Sequence, residues 1–203
     1  MRPIHSLSIP WALAIPCALV ILASGCASTP ESRFYTLSPV STTPAPTPSD
    51  LSVAVGPVSV PAVVDRPQIV VSMGPNRVSL DEFNRWASPL QNSIARVVAD
   101  NLAAMLGTPR VALSSQTLSA DAEYRVAIAV QGFDSAPGEA ATVDAVWTVL
   151  RARDSKSQTG RTTVREPATE KGYDALAAAH SRAVARLSRD IAEAVRALAR
   201  PGQ

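Results

Sequence analysis

Val53, Val55, Val58 and Val60 alternate with smaller or more polar residues around Gly56-Pro57, the pattern of a strand kinked or bulged at that pair. Gln68 to Met73 reads as a second strand, Gly74-Pro75-Asn76 as a tight turn, and Arg77 to Leu80 as a short strand pairing back. Phe34-Tyr35-Thr36-Leu37 forms a short strand before them. The spacing then changes. Leu90, Ile94, Val97, Val98, Leu102, Met105 and Leu106 fall on one helical face, with Asn92, Arg96, Ala99 and Ala103 opposite. Ser88 and Gln91 have capping-box spacing, Pro89 suits the first helical position, and Gly107 and Pro109 stop the helix. Val111 to Leu113 is brief. Tyr124, Val126, Ile128 and Val130 alternate, Pro137-Gly138 turns, and Val143, Ala145, Trp147 and Val149 make the inward set of the next strand. After a turn in Asp154 to Thr159, the polar run Gly160 to Glu166 suits a sheet edge. A last helix spans about Tyr173 to Arg200. Its apolar stripe includes Leu176, His180, Val184, Leu187 and Ile191, and its outer face carries Arg182, Arg186, Arg189, Glu193 and Arg196.

These elements predict an α/β fold: a single domain with a mixed β-sheet of about five to seven strands packed by two long helices. The segment 38–49, with Pro39, Pro44, Pro46 and Pro48, stays extended and outside the core. It reads as a loop between two paired strands, with a spacer from the membrane as the alternative.

The N-terminal pattern is different. Arg2 and His5 precede an apolar run from Ile9 to Leu22, broken by Pro10 and Pro16 and too short to span a bilayer as a helix of about 20 residues. Leu22-Ala23-Ser24-Gly25-Cys26 follows, a lipobox whose leucine stands one position further back than usual. Residues 1–25 are therefore expected to be a removable lipoprotein signal peptide, 26–33 a lipidated tether, and 34–203 the folded domain. An ordinary signal peptide or membrane anchor with an incidental thiol is the alternative. Cysteine usage favours lipid: the other cysteine, Cys17, lies inside the segment removed, so Cys26 stays a lone thiol unless acylated.

Taking residues 1–25, which include Arg2, from a 203-residue chain of net charge +2 leaves 178 residues at +1. That is no polyelectrolyte, and nucleic acid is a poor partner for it. Aromatics make up 4% of the chain, so the core must be aliphatic. With Cys26 acylated, His180 is the one remaining imidazole or thiol of the mature chain, and no metal or other cofactor is implied beyond the covalent lipid.

No Gly-x-Ser-x-Gly, phosphate-binding loop or dinucleotide fingerprint occurs. His180 near Asp174 or Ser181 lacks the spacing of a catalytic pair and reads as a helix-face residue with a local hydrogen bond. Asp144 near Trp147 reads as structural. Asp65-Arg66-Pro67 fixes how one strand leaves and the next enters, because Pro67 holds Arg66 extended and an aspartate can turn the chain by accepting from nearby amides. Trp86 precedes the helix as a large apolar anchor. Asp65, Arg66, Pro67 and Trp86 are the candidate partner-binding residues, a structural role being the competing reading for each. The basic face of the last helix suits solvent or anionic headgroups.

Phe34-Tyr35-Thr36-Leu37 soon after a lipidation cysteine, then Val64-Asp65-Arg66-Pro67-Gln68-Ile69-Val70, then Asn84-Arg85-Trp86-Ala87-Ser88-Pro89-Leu90 resemble the ABC-type transport auxiliary lipoproteins of the PqiC/YmbA type. Tyr173 to Ile191 looks like the closing helix of that family. The resemblance implies a fold like the amino-terminal domain of TolB. It also implies an outer-membrane lipoprotein facing the periplasm, a non-catalytic docking component of a system that moves phospholipid between the two membranes. Its partners would be an MCE-domain periplasmic protein, the inner-membrane transporter, the membrane itself, and other copies of the chain if it oligomerises. A structural or assembly lipoprotein of the envelope is the second function class, and an esterase-like enzyme a third.

Acylation of Cys26 is directly testable. Cys26→Ser should leave an uncleaved or soluble chain, seen as changed gel mobility and loss from the membrane fraction; unchanged mobility with normal membrane extraction would refute lipidation.

Overall fold

The computed structural model describes residues 30–40, 48–170 and 172–200. The chain divides into two units, 1–31 and 32–203, and of the first only Pro30 and Glu31 are described. Cys26 and residues 41–47 therefore lie outside the described residues.

Among the described residues of the second unit, eight strands and two α-helices follow one another: β1 (Arg33–Tyr35), β2 (Val53–Ser59), β3 (Gln68–Ser72), β4 (Val78–Trp86), α1 (Leu90–Leu106), β5 (Val111–Leu113), β6 (Tyr124–Ala136), β7 (Ala140–Arg151), β8 (Ser157–Pro167) and α2 (Tyr173–Ala199). The strands form two sheets, one of five in the order β5-β2-β6-β7-β8 and one of three in the order β1-β4-β3. The five-stranded sheet is mixed: β2 runs parallel to β5 and β6, and β6, β7 and β8 run antiparallel in turn. The polar β8 lies at its edge, as its charge pattern predicts.

Period-two alternation builds the core. Val126, Ile128 and Val130 on β6 stand opposite Val149, Trp147 and Ala145 on β7, and all six are buried. Across Trp147 lies Gly160 on β8, where a Cβ would come within 2.2 Å of the indole ring. Only glycine leaves the ring that space. The kink expected at Gly56-Pro57 is present as a register shift between Val55 and Val58.

The helices pack on this sheet and on each other, burying Ile94, Val97, Val98 and Leu102 from α1 with Leu176, Val184, Leu187 and Ile191 from α2. Two features of α1 depart from its sequence pattern. The helix starts at Leu90, so Pro89 rather than Ser88 holds the N-cap position; the Ser88 hydroxyl pairs with Ser93 at 2.7 Å and the expected capping box does not form. Its opposite face is also less open than expected, because α2 covers part of it. Ala99 and Asn101 are buried, and the Asn101 amide donates to Ser188 Oγ on α2 at 3.2 Å. Gly107, in the left-handed region at φ 66°, ends α1 as the pattern implies. Arg196 on α2 donates to the Met105 carbonyl at 2.5 Å, satisfying one of the carbonyls that the last turn leaves open. Arg151, buried at the end of β7, donates to the Leu198 carbonyl of α2 and pairs with Asp154 at 2.7 Å.

The small sheet differs most from the sequence reading. β4 continues well past Leu80 to Trp86, and β1 pairs parallel with β4, Arg33 against Asn84 and Tyr35 against Trp86. Since β1 and β2 belong to different sheets, the segment 38–49 connects sheets and is not a loop between paired strands.

Both sheets and α2 meet at one place. Trp86, ending β4, packs edge-on against Phe133 of β6 and His180 of α2, with ring centroids at 6.0 and 6.1 Å. Phe133 and His180 stack face to face at 3.8 Å. His180 Nε2 bonds Ser135 Oγ at 2.8 Å, a partner 45 residues away and not the local one expected from the helix. Its Nδ1 has no hydrogen-bond partner. Burial pushes the imidazole down to about 3, so it is neutral in the folded protein.

Two outcomes follow from this packing. Ile94→Ala and Leu187→Ala, each emptying a fully buried site, should each lower unfolding free energy by about 2–5 kcal/mol in denaturant titrations; losses below about 0.5 kcal/mol at both, the size of a surface substitution, would contradict it. Between about pH 6.5 and 3 the unfolded chain binds a proton at residue 180 that the folded chain refuses. Stability from this group is thus complete above about pH 6.5 and falls with acidification by up to about 1.4 kcal/mol per pH unit. His180→Phe should flatten that dependence, and an unchanged pH slope in the variant would refute the neutral buried imidazole.

Candidate functional site

The exposed part of the small sheet is shaped by one carboxylate. On β4, Asp81 Oδ1 accepts from the amides of Phe83 and Asn84 at 2.9 and 2.8 Å, while Oδ2 accepts from the Tyr173 hydroxyl at 2.6 Å. The two amide bonds curl the strand. Pairing with β3 accordingly jumps from Ile69 opposite Asp81 to Gln68 opposite Arg85, leaving residues 82–84 bulged outward. Partial burial pushes the Asp81 carboxyl upward, but the bonds from Tyr173 and the two amides outweigh it and hold the group below the ordinary aspartate range. The Tyr173 phenol, desolvated and donating to that carboxylate, is pushed well above the ordinary tyrosine range. Tyr35 bonds Asn84 Oδ1 at 2.8 Å and packs on Tyr173 at 5.9 Å, so the first residue of α2 ties the small sheet to the helix layer.

Of the four candidate partner-binding residues, three are exposed and one is not. Asp65, Arg66 and Pro67 lie on the surface between β2 and β3. Backbone bonds close this turn: the Val64 and Asp65 amides donate to the Pro61 carbonyl at 3.0 and 3.1 Å, and the Arg66 amide to Val64 at 2.9 Å. Trp86 is buried with only 6% exposure, which corrects its reading as a surface contact: it anchors the joint between the sheets. The residues are nonetheless neighbours, because the Trp86 amide donates to the Pro67 carbonyl at 2.7 Å. The exposed turn is thereby fixed to the most deeply set ring of its own sheet.

Sequence reasoning missed the apolar side chains around this turn. Phe34, Val63, Met73, Val78, Leu80 and Phe83 are all substantially exposed, and every one of them belongs to the small sheet or its connections. The strands read at 68–73 and 77–80 carry no assignment of a buried or an exposed face.

The structure also contains a serine–histidine pair, Ser135 and His180, which their separation in sequence concealed. Both are sealed from solvent, and no carboxylate orients Nδ1. A nucleophile needs an accessible hydroxyl and a base free to take its proton, and this pair offers neither. Asp144 is structural as expected: Arg161 grips both its oxygens at 2.8 and 2.5 Å, and Thr163 adds a third bond. The basic face of α2 is partly consumed within the fold, Arg182 and Arg186 both pairing with Glu166 of β8. Among the described residues no group of three or more His, Cys, Asp or Glu stands together as a metal site, and no helix is long and apolar enough to cross a membrane.

Two solved structures share the fold, and a third aligns only weakly. One, of an uncharacterised protein, aligns with a TM-score of 0.66 at 20% identity, covering 82% of this chain and 99% of that one. Protein XCC0632 from Xanthomonas campestris aligns at 0.60 and 20% identity, covering 79% and 93%. A PelC dodecamer from Paraburkholderia phytofirmans aligns at 0.37 and 15% identity, covering 72% and 92%. No curated protein matches the chain. The model of the family described as ABC-type transport auxiliary lipoprotein component matches residues 35–192, from the last residue of the first strand to within α2, and the chain belongs to that family.

Proposed function

We propose that this protein is an outer-membrane lipoprotein, acylated at Cys26, that acts as a non-catalytic docking component of an MCE/ABC-type system moving phospholipid between the inner and outer membranes. The observation that carries the reading is the family match from residue 35 onward, preceded at Cys26 by a lipobox. Ala27 after the cysteine, rather than aspartate, favours sorting to the outer membrane, by resemblance to sorted lipoproteins. The sealing of Ser135 and His180 favours docking over catalysis. In this reading the protein supplies a surface at a fixed place. Its exposed turn at Asp65-Arg66-Pro67 is backed by a rigid joint, as a docking contact requires if its geometry is to be held before binding.

Anchor and surface should then be separable. A soluble domain starting after Cys26 should bind the MCE protein of the same cell in solution, yet fail to restore envelope integrity in a deletion strain for want of its lipid. Asp65→Ala and Arg66→Ala should weaken that association while leaving thermal stability unchanged, since both side chains are exposed. Absence of binding to any MCE protein, by a method sensitive to micromolar contacts, would replace this reading with an envelope-assembly lipoprotein.

A further inference from the structure

The hairpin of β3 and β4 carries an unusual surface. From Gln68 to Leu80 the one ionisable residue is Arg77, and every residue from Met73 to Leu80 is exposed. Cross-strand pairing puts Ser79 and Asp81 on the side of Val71 and Ile69, and Val78 and Leu80 on the side of Ser72 and Val70; Val70 is buried, and exposure on that side rises toward the tip, from 39% at Leu80 to 53% at Val78. Met73 and Val78, 51% and 53% exposed, flank the turn, which is closed by the Met73 amide on the Arg77 carbonyl at 2.8 Å. The tip thus presents apolar side chains, one cation, and a turn in which the Met73 and Arg77 amides are bonded internally.

What covers such a tip follows from where the chain is held. Arg33 follows Cys26 by seven positions, a reach of at most about 25 Å. Because β1 is parallel to β4 and Arg33 pairs with Asn84, the chain enters β1 from the side of the hairpin tip. Val78 and Arg85 stand opposite Ser72 and Gln68, four strand steps apart on β3, so the tip lies within about 13 Å of the level at which β1 pairs. A lipid at Cys26 can therefore lie in the plane that the tip reaches, and no position of that anchor can lift β1 more than the tether's length from the bilayer.

We propose that the β3–β4 hairpin is a second membrane contact. Met73, Val78 and Leu80 enter the headgroup region of the leaflet that holds the Cys26 lipid, and Arg77 faces lipid phosphate. The proposal rests on the lipoprotein reading and adds to it an orientation of the domain on the membrane. The lipid holds the chain at one point only, and an apolar, cationic tip supplies the further contact that turns a tether into a fixed posture.

The test uses the full-length chain, exported and purified in its processed form and reconstituted into phosphatidylethanolamine–phosphatidylglycerol vesicles. With Cys17 removed and Cys26 acylated, an introduced cysteine is the one free thiol, so Val78→Cys, Met73→Cys and Leu118→Cys can each carry a polarity-sensitive fluorophore. Leu118, 88% exposed and beside β5 in the other sheet, is the control. Labels at 73 and 78 should emit to the blue of the label at 118 and lose intensity when nitroxide-bearing lipid is added, and Arg77→Glu should reduce both effects. Water-like, unquenched emission at 73 and 78 in a chain that floats with the vesicles would overturn the hairpin contact while leaving the anchor intact. A blue shift without quenching by the lipid nitroxide would overturn it in favour of a second copy of the chain. Labelling of Cys26 itself, or failure to float, would overturn the anchor and this inference with it.

Discussion

The neutral imidazole of His180 sits where three separately built parts of the molecule touch, and the arrangement of the rest depends on its staying there uncharged. β4 delivers Trp86, β6 delivers Phe133 and Ser135, and α2 delivers His180 itself. Without that contact the small sheet would be held to the large one through β1, the Asp81–Tyr173 bond and the aliphatic packing of β3. A charged ring there would have to be desolvated with a single hydrogen bond in compensation and an unpartnered nitrogen beside it. Burial of that kind is unfavourable enough that the group surrenders its proton instead, which makes the joint sensitive to acid in a way an all-apolar joint would not be.

The same joint explains why chemistry and surface lie on opposite sides of the small sheet. Its inner side carries the only serine–histidine pair found among the described residues, and packing has closed it. Its outer side carries Asp65-Arg66-Pro67 and the apolar hairpin, both attached to Trp86 within one strand or one backbone bond. Rigidity established inside is thus transmitted to what is presented outside. That division suits a protein whose task is to hold a surface in position.

Much of the fold was legible because its large sheet obeys simple periodicities. Both helices, the bulge at Gly56-Pro57, the β6–β7 hairpin and the polar edge strand appear where alternation and helical spacing predict them. Of the small sheet, the first strand and the hairpin from Gln68 back to Leu80 were legible, but the continuation of β4 to Trp86 and its pairing with β1 were not, for a local reason. Asp81 spends its carboxylate on the amides of Phe83 and Asn84, and the resulting bulge destroys the alternation that would have carried β4 on to Trp86. Ser88 and Ala99 were misread for tertiary reasons: a one-residue shift in the helix start and the approach of α2 each override a correct local pattern.

Of the candidate site, a turn between β2 and β3 was legible, but backbone bonds to the Pro61 and Val64 carbonyls close it and not the Asp65 carboxylate expected to do so. Exposure, in contrast, is a property of pairs of elements. Trp86 is buried because β6 and α2 happen to face it, whereas Val78 and Leu80 are exposed because nothing among the described residues covers them. A hydrophobic side chain reads the same in both cases. The distinction emerges only once the topology is known, and it is the parallel pairing of β1 with β4, set by three residues, that turns an uncovered hairpin into one facing the direction from which the chain arrives. A short strand contributes little to the core, yet here it fixes the direction from which the chain enters the domain.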